Sequence, residues 1–270
     1  MSRIYDCHMH TSFSGDSDSS PESMINRAKE IGLSGVTITD HMDYGFPENP
    51  NPFTIDFDVY MNDLAKLQQQ YNVDGEFEVL RGVELGLTLD AVSFNKKIMN
   101  DYNFDYCIGS IHVVDGCDPY YDSFWEGKHR ETVCRHYYER TLENIQACPY
   151  VDALGHLDYV FRYGTRPVNE DTYGPYAEIV DAILQELIKK DIALEVNTGS
   201  YKKGMGVPNP SDLILSRYYE LGGELITLGA DAHTPEFVAD HFDDAIALLK
   251  SIGFTEYFLY RNGVPRAMKL

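Results

Sequence analysis

His8 and His10 stand two residues apart in the opening stretch MSRIYDCHMH, and Asp231 and His233 repeat that spacing near the other end of the chain. Residues i and i+2 of an extended strand face the same way, so each pair offers two donors to one ion while Met9 and Ala232 point to the opposite side. Between the pairs come Asp40-His41, Glu84, His112 and His156. Each alone is ambiguous. A single H-x-H is a weak signal, Glu84 reads equally as a hydrogen-bonded rim acid, and His112 or His156 singly as a core histidine. Jointly they indicate a metal centre. Imidazole nitrogens with carboxylate oxygens and no cysteine suit Zn²⁺, Fe²⁺ or Mn²⁺ better than Ca²⁺ or a thiolate cluster.

The elements that must position these residues alternate along the chain. Short β-rich runs over 4–10, 35–40, 79–85, 106–113, 151–157, 192–197 and 225–230 read as strands. Helical patterns over 21–31, 57–71, 92–101, 130–147, 177–189, 211–221 and 242–252 fall between them, and 256–260 reads as a short closing strand. Such alternation implies a parallel sheet, because parallel strands need crossover connections. Seven repeats favour an α/β barrel over an open doubly wound sheet, which stays the alternative. The six histidines His8, His10, His41, His112, His156 and His233, with Glu84 and Asp231, all fall at C-terminal ends of strands. In a parallel barrel those ends share one face, where the active site is built. His129, His136 and His241 fall on or beside helices and read as solvated. Asp6 and Asp40 flank the donors and read as supports for them.

Composition bounds the rest. With 270 residues, 43% of them hydrophobic, the chain can bury one sizeable core, and no linker or repeat divides it. One domain over 1–270 is the expectation. Lys and Arg number 22 against 43 Asp and Glu, a formal charge of −21, which argues against a nucleic-acid backbone or an anionic membrane as partner. No apolar run approaches the ~20 residues of a membrane span, and no secretory signal is visible. Five cysteines, never spaced C-x-x-C, read as reduced thiols of a cytoplasmic protein. Oligomeric state is not readable.

The stretches DCHMHTSFSGDS, TDH, GVE, GSIH, GHLD and GADAH, in that order, resemble the PHP (polymerase and histidinol phosphatase) superfamily over essentially the whole chain. Within it, GSIHVVDG, GHLDYVFRYG and LEVNTGSYKKGMGVPNPS are similar to the histidinol-phosphate phosphatase branch. The resemblance implies a distorted (β/α)7 barrel, TIM-barrel-like, and up to three divalent ions (Zn, Mn or Fe). It assigns His8, His10, Glu84 and Asp231 to the first ion, and Glu84, His112 and His156 to the second, with Glu84 bridging. Asp16, His41 and His233 would hold the third. Asp16 stands where many relatives have histidine.

The reaction so implied is hydrolysis of the phosphomonoester L-histidinol phosphate in histidine biosynthesis, by attack of a metal-bridging hydroxide. Three ions and three carboxylates leave the site positive, as a phosphate dianion requires. Asp231 is the expected proton carrier to the leaving group, with His233 second. Arg162 and Lys202, on loops after the fifth and sixth strands, are expected at the phosphate. The insert DGCDPYYDSFWEGKH supplies Asp115, Asp118, Tyr121, Phe124 and Trp125 for a flat cationic group, with Asp115 and Trp125 as the expected substrate contacts. The alternatives are a PHP phosphoesterase acting on nucleotides or phosphotyrosine, an amidohydrolase-like barrel, and a noncatalytic metal-binding module.

Overall fold

The structure, a computed structural model, describes residues 3–48, 50–165 and 170–270. Eight short strands form the main sheet: β1 (Tyr5–Asp6), β2 (Gly35–Ile38), β3 (His41–Met42), β4 (Glu78–Gly86), β5 (Tyr106–Ser110), β6 (Ala153–Leu154), β7 (Ala193–Asn197) and β8 (Ile226–Gly229). All pairings are parallel, in the order β1-β2-β4-β5-β6-β7-β8, with β3 pairing β4 just beyond the end of β2. The two edges of this row then meet. Cys7 N–H donates to Leu228 O at 3.0 Å, Asp231 N–H to His8 O at 2.9 Å and His10 N–H to Ala232 O at 2.8 Å. The result is a nearly closed barrel of seven parallel strands, as the alternation predicts.

Among the described residues seven α-helices alternate with the strands, none falling between β2 and β3: α1 (Pro21–Glu30), α2 (Phe57–Tyr71), α3 (Val92–Asp101), α4 (Arg130–Ala147), α5 (Ala177–Lys190), α6 (Asp212–Glu220) and α7 (Phe242–Ile252). Their starts follow local chemistry. Ser20 caps α1 by accepting the N–H of Ser23, with Pro21 in the first helical position, where its missing N–H costs nothing. Asp56 caps α2 in the same way. In α5, Val180, Ile183, Leu184 and Leu187 form the buried stripe. Burial stabilises each by roughly 1.5–3 kcal/mol, which fixes the face this helix turns to the sheet. Among the described residues no helix is long and apolar enough to cross a membrane.

The lower end of the barrel is filled with apolar side chains. Tyr5, Cys7, Leu80, Tyr106, Ile108, Ala153 and Ala193 pack there with Leu259 and Tyr260. The last two come from an antiparallel hairpin, β9 (Glu256–Arg261) and β10 (Val264–Lys269), which was expected only as a single closing strand. Its turn is Asn262-Gly263, both at positive φ, the chemistry a two-residue hairpin requires. Arg261 pairs with Glu78 and ties the hairpin to the start of β4.

β1, β2, β5 and β6 stop short of the expected runs at their upper ends, whereas β4 overruns its own by one residue at each end. The expected strand 35–40 stops at Ile38 and resumes as β3, since Asp40 turns its carboxylate to Thr11 and Ser14. Likewise β6 covers only two residues of the expected 151–157. The chain leaves the ladder where its side chains have other work.

Candidate metal centre

Four side-chain atoms converge above the strand ends. His8 Nε2 lies 3.0 Å from His10 Nε2 and 3.2 Å from Glu84 Oε2. His10 Nε2 lies 3.4 Å from Glu84 Oε2 and 3.3 Å from Asp231 Oδ1, which is 3.8 Å from His8 Nε2. Donors placed about 2.0–2.1 Å from a tetrahedral divalent ion stand roughly 3.4 Å apart. The observed separations bracket that edge length, so these atoms could hold a divalent ion.

The other oxygen of Glu84 faces a second set. Oε1 is 3.3 Å from His112 Nε2 and 3.0 Å from His156 Nε2, and Ser110 Oγ donates to it at 2.6 Å. Glu84 therefore divides its carboxylate between two clusters. Its Oε2 is buried and has no hydrogen-bond partner among the described residues. His41 Nδ1, His8 Nε2 and His10 Nε2 approach that oxygen at 3.0, 3.2 and 3.4 Å, and a carboxylate so buried needs positive charge beside it, from protonated imidazoles or from a divalent ion. The donor chemistry fits a divalent ion.

A third grouping sits higher. His233 Nε2 is 3.0 Å from Asp16 Oδ2, and His41 Nε2 is 3.8 Å from the same oxygen. The rings of His41 and His233 each stack on His10, at 4.1 and 4.2 Å. Among the described residues, groups whose donors lie within 4.8 Å of one another include His8–His10–Glu84, Glu84–His112–His156, His10–His41–His233 and His41–Asp43–His112. In the third, His10 stands beside His41 and His233, and Asp16 closes the group from the partly exposed side.

Outer hydrogen bonds aim the imidazoles. Glu195 Oε1 holds His8 Nδ1 at 2.5 Å, and its Oε2 accepts His156 N–H and Asn197 Nδ2. Ser14 Oγ, donating to Asp40, faces His10 Nδ1 at 3.1 Å. Asp43 Oδ1 lies 2.8 Å from His112 Nδ1, and the carbonyl of Asp231 3.0 Å from His233 Nδ1. Each fixes a ring so that Nε2 points inward. Gly229 makes room for this, since a Cβ there would meet His8 Cβ at 2.4 Å. Asp6 accepts the backbone N–H groups of His8, Ala230 and Ala239. Burial pushes its carboxyl up to about 6, partly offset by those bonds. Asp6 and Asp40 act as the supports their positions suggest.

Charge in the cluster is balanced by protons when no metal is bound. Burial lowers the His8 imidazole, but Glu195, Glu84 and Asp231 outweigh it and hold it well above its ordinary value. His41 is raised to about 9, with burial opposed chiefly by Glu84. Burial would raise Glu84, yet His8, His41 and His112 bring it well below the usual carboxylate range. Protons occupy what divalent ions would otherwise neutralise.

Above the donors opens a cavity of about 410 Å³, a size suited to a small ligand. Arg162 lies in its wall, buried, with Nη1 on Asp231 Oδ2 at 2.9 Å, Nη2 on Asn197 at 2.8 Å and Nε on Asn209 at 2.6 Å. Lys202 donates to the carbonyl of Asp231 at 3.2 Å, and Lys203 also lines the wall. Asp231 holds φ +55°, an uncommon backbone for a non-glycine residue that its convergent partners maintain.

The insert after β5 corrects one expectation. Asp118, Tyr120 and Tyr121 line the cavity, whereas Asp115 and Trp125 do not. Asp115, at φ +50°, turns away to His136 and Arg140 of α4. Trp125 donates to the carbonyl of Pro119 and lies under Arg130. Both are structural here and leave the set of substrate contacts. His136 and His241 are surface residues, paired with Asp115 and Asp244.

Asp43, Glu195, Asn197, Asn209 and Lys203 escaped the sequence reading. Asp43 follows His41 at the same two-residue spacing as the H-x-H pair, and Glu195 and Asn197 share it on β7. That signal was available.

The PHP domain family matches residues 6–199. A probable histidinol-phosphatase of Clostridium acetobutylicum is 31% identical, covering 96% of this chain and 98% of the relative. The histidinol-phosphatase of Lactococcus lactis is 30% identical, over 93% of this chain and 92% of the relative. Among solved structures, histidinol phosphate phosphatase from Lactococcus lactis, complexed with Zn, L-histidinol and phosphate, superposes with a TM-score of 0.90. It is 28% identical, with 98% of this chain and 99% of that chain covered.

Proposed function

The chain belongs to the PHP domain family, and on that footing we propose that it is a histidinol-phosphatase. It hydrolyses the phosphomonoester L-histidinol phosphate to L-histidinol and phosphate, a step of histidine biosynthesis, in the cytoplasm. The observation that carries this reading is the split carboxylate of Glu84. One oxygen faces His8, His10 and Asp231 and the other His112 and His156, beneath a cavity walled by Arg162. The relatives' activity, and the ligands of the similar zinc-bound structure, support it.

Three ions of Zn, Mn or Fe fit the donors: His8, His10, Glu84 and Asp231; Glu84, His112 and His156; and Asp16, His41 and His233. Bound there, they would supply an activated, water-derived nucleophile and neutralise charge on the phosphoryl oxygens. The chain's own groups do the rest. Arg162 spends three N–H groups on Asn209, Asp231 and Asn197, so its guanidinium is fixed, and its two remaining N–H groups, with no hydrogen bond among the described residues, would donate to phosphate. Lys202 and Lys203 add charge at the same wall. Asp231, with one oxygen on Arg162 and the other toward His10, takes the proton released by the attacking water and passes it to the leaving alkoxide. His233 steadies Asp231 through its carbonyl.

The test is a panel of phosphomonoesters assayed for released phosphate with Mn²⁺, Zn²⁺ or Fe²⁺ supplied. L-histidinol phosphate is expected to give the highest kcat/KM. More efficient hydrolysis of nucleotides or phosphotyrosine would keep the chemistry and reject the substrate.

A further inference from the structure

Arg130 opens α4 and does not line the cavity, yet its guanidinium gathers several partners at one point. Nε and Nη2 donate to the two carboxylate oxygens of Glu170 at 2.6 and 2.8 Å, and Nη1 donates to the carbonyl of Tyr163 at 2.8 Å. The same group lies 4.7 Å over the ring of Trp125 and 5.7 Å from that of Phe161. The side chains of Arg130 and Glu170 are only 17% and 16% exposed, so water and salt screen this pair less than one on the open surface.

These contacts join the two loops that wall the cavity. Trp125 belongs to the insert after β5, whose Asp118, Tyr120 and Tyr121 line it. That insert is a firm post, since Trp125 Nε1 donates to the carbonyl of Pro119 and the Tyr121 hydroxyl donates to Glu48. Tyr163 follows Arg162 on the loop after β6, and both line the cavity. The close approach is built for. Gly164 holds φ +69°, and a Cβ there would meet the Trp125 indole at 2.8 Å and Arg130 Nη1 at 2.9 Å, so only glycine fits both the backbone and the space. Asn197, Asn209 and Asp231 hold Arg162 by its guanidinium, and Arg130 holds the next carbonyl of the chain.

We infer that Arg130, clamped by Glu170 and Trp125, is a positioning residue that sets Arg162 and Tyr163 in the cavity wall and so determines how tightly phosphomonoesters bind, without touching them. With the clamp broken, the segment holds its place only part of the time, and apparent affinity falls by that fraction. Phosphate on Arg162 draws the segment back, so turnover at saturation is kept. A lysine cannot take over. Its ammonium cannot meet two carboxylate oxygens and a carbonyl in one plane while lying flat on an indole.

The probes are p-nitrophenyl phosphate and inorganic phosphate on the metal-loaded protein, so the test rests on the phosphatase reading but not on which alcohol the substrate carries. Arg130→Ala, Arg130→Lys and Glu170→Gln are each expected to raise KM for p-nitrophenyl phosphate by ~2–30-fold, the span of effects from residues that touch no ligand, with kcat kept. Arg130→Ala and Glu170→Gln combined are expected to cost no more than Arg130→Ala alone, because the two act as one unit. Trp125 is the chain's sole tryptophan, so its emission reports the clamp directly. In Glu170→Gln it should shift to the red, and saturating inorganic phosphate should bring it back to the wild-type position. Unchanged KM, a loss confined to kcat, or a red shift that phosphate does not reverse, in variants that stay folded, overturns the inference. Wild-type protein that hydrolyses no phosphomonoester overturns the phosphatase reading instead, and the emission of Glu170→Gln with and without phosphate still scores the clamp.

Discussion

Glu195 Oε1 lies 2.5 Å from Nδ1 of His8, so the carboxylate that aims the first imidazole comes from β7, 187 residues along the chain. The same side chain accepts the backbone N–H of His156 through its other oxygen. One residue outside the donor set therefore orients histidines of two clusters.

Glu195→Gln is expected to bind metal ~10–100-fold more weakly, the usual cost of losing such a support. Its amide would place N–H against either His156 N–H or the His8 ring. Competition with a chelator of known affinity measures this, and an unchanged dissociation constant would contradict it.

Glu84→Gln should cost more. It weakens both clusters at once, so turnover is expected to fall well over ~100-fold, and bound metal with it. Elemental analysis of wild-type protein purified without chelator should find two to three transition ions per chain. Near-normal turnover in a metal-replete variant would remove Glu84 from the donor set.

Arg162→Ala should depress kcat/KM on every phosphomonoester by ~10–100-fold, because the lost donor is common to all. Arg162→Lys should not restore activity. A lysine cannot bond Asn197, Asn209 and Asp231 in one plane and still face the cavity. Rescue by lysine would show that only the charge matters.

Acidity should act oppositely on the two forms of the protein. In the metal-free state burial lowers His41, but Glu84 and Asp16 raise it to about 9, above the ordinary ~6.5. Its proton then stabilises the folded metal-free protein below pH ~6.5, and that stability is lost as pH climbs through about 9. Metal must displace the same proton, so affinity should rise with pH and zinc addition at neutral pH should release protons. Calorimetry across pH 6–9, with and without zinc, measures both slopes. Metal affinity independent of pH would contradict the assignment of His41.

The sequence by itself determined the barrel and most of the donors. Apolar runs alternating with amphipathic stretches encode parallel strands and their crossovers. Polar residues at the ends of such runs must share a face, whatever the details of strand order. His8 with His10 and Asp231 with His233 were legible because a strand's two-residue period is local. The hairpin of β9 and β10 was within reach through Asn262-Gly263, yet its place under the barrel was not. Tertiary structure alone decided which distant groups meet: Glu195 with His8, Asp43 with His112, and Glu48 with Tyr121. It also decided which way an insert turns. Asp115 and Asp118 are three residues apart in one loop, with nothing in their composition to tell them apart. A left-handed backbone at Asp115 sends it to α4, while Asp118 is buried in the cavity wall. Loops lack the periodicity that relates sequence to direction, so only the packed chain fixes where their side chains point.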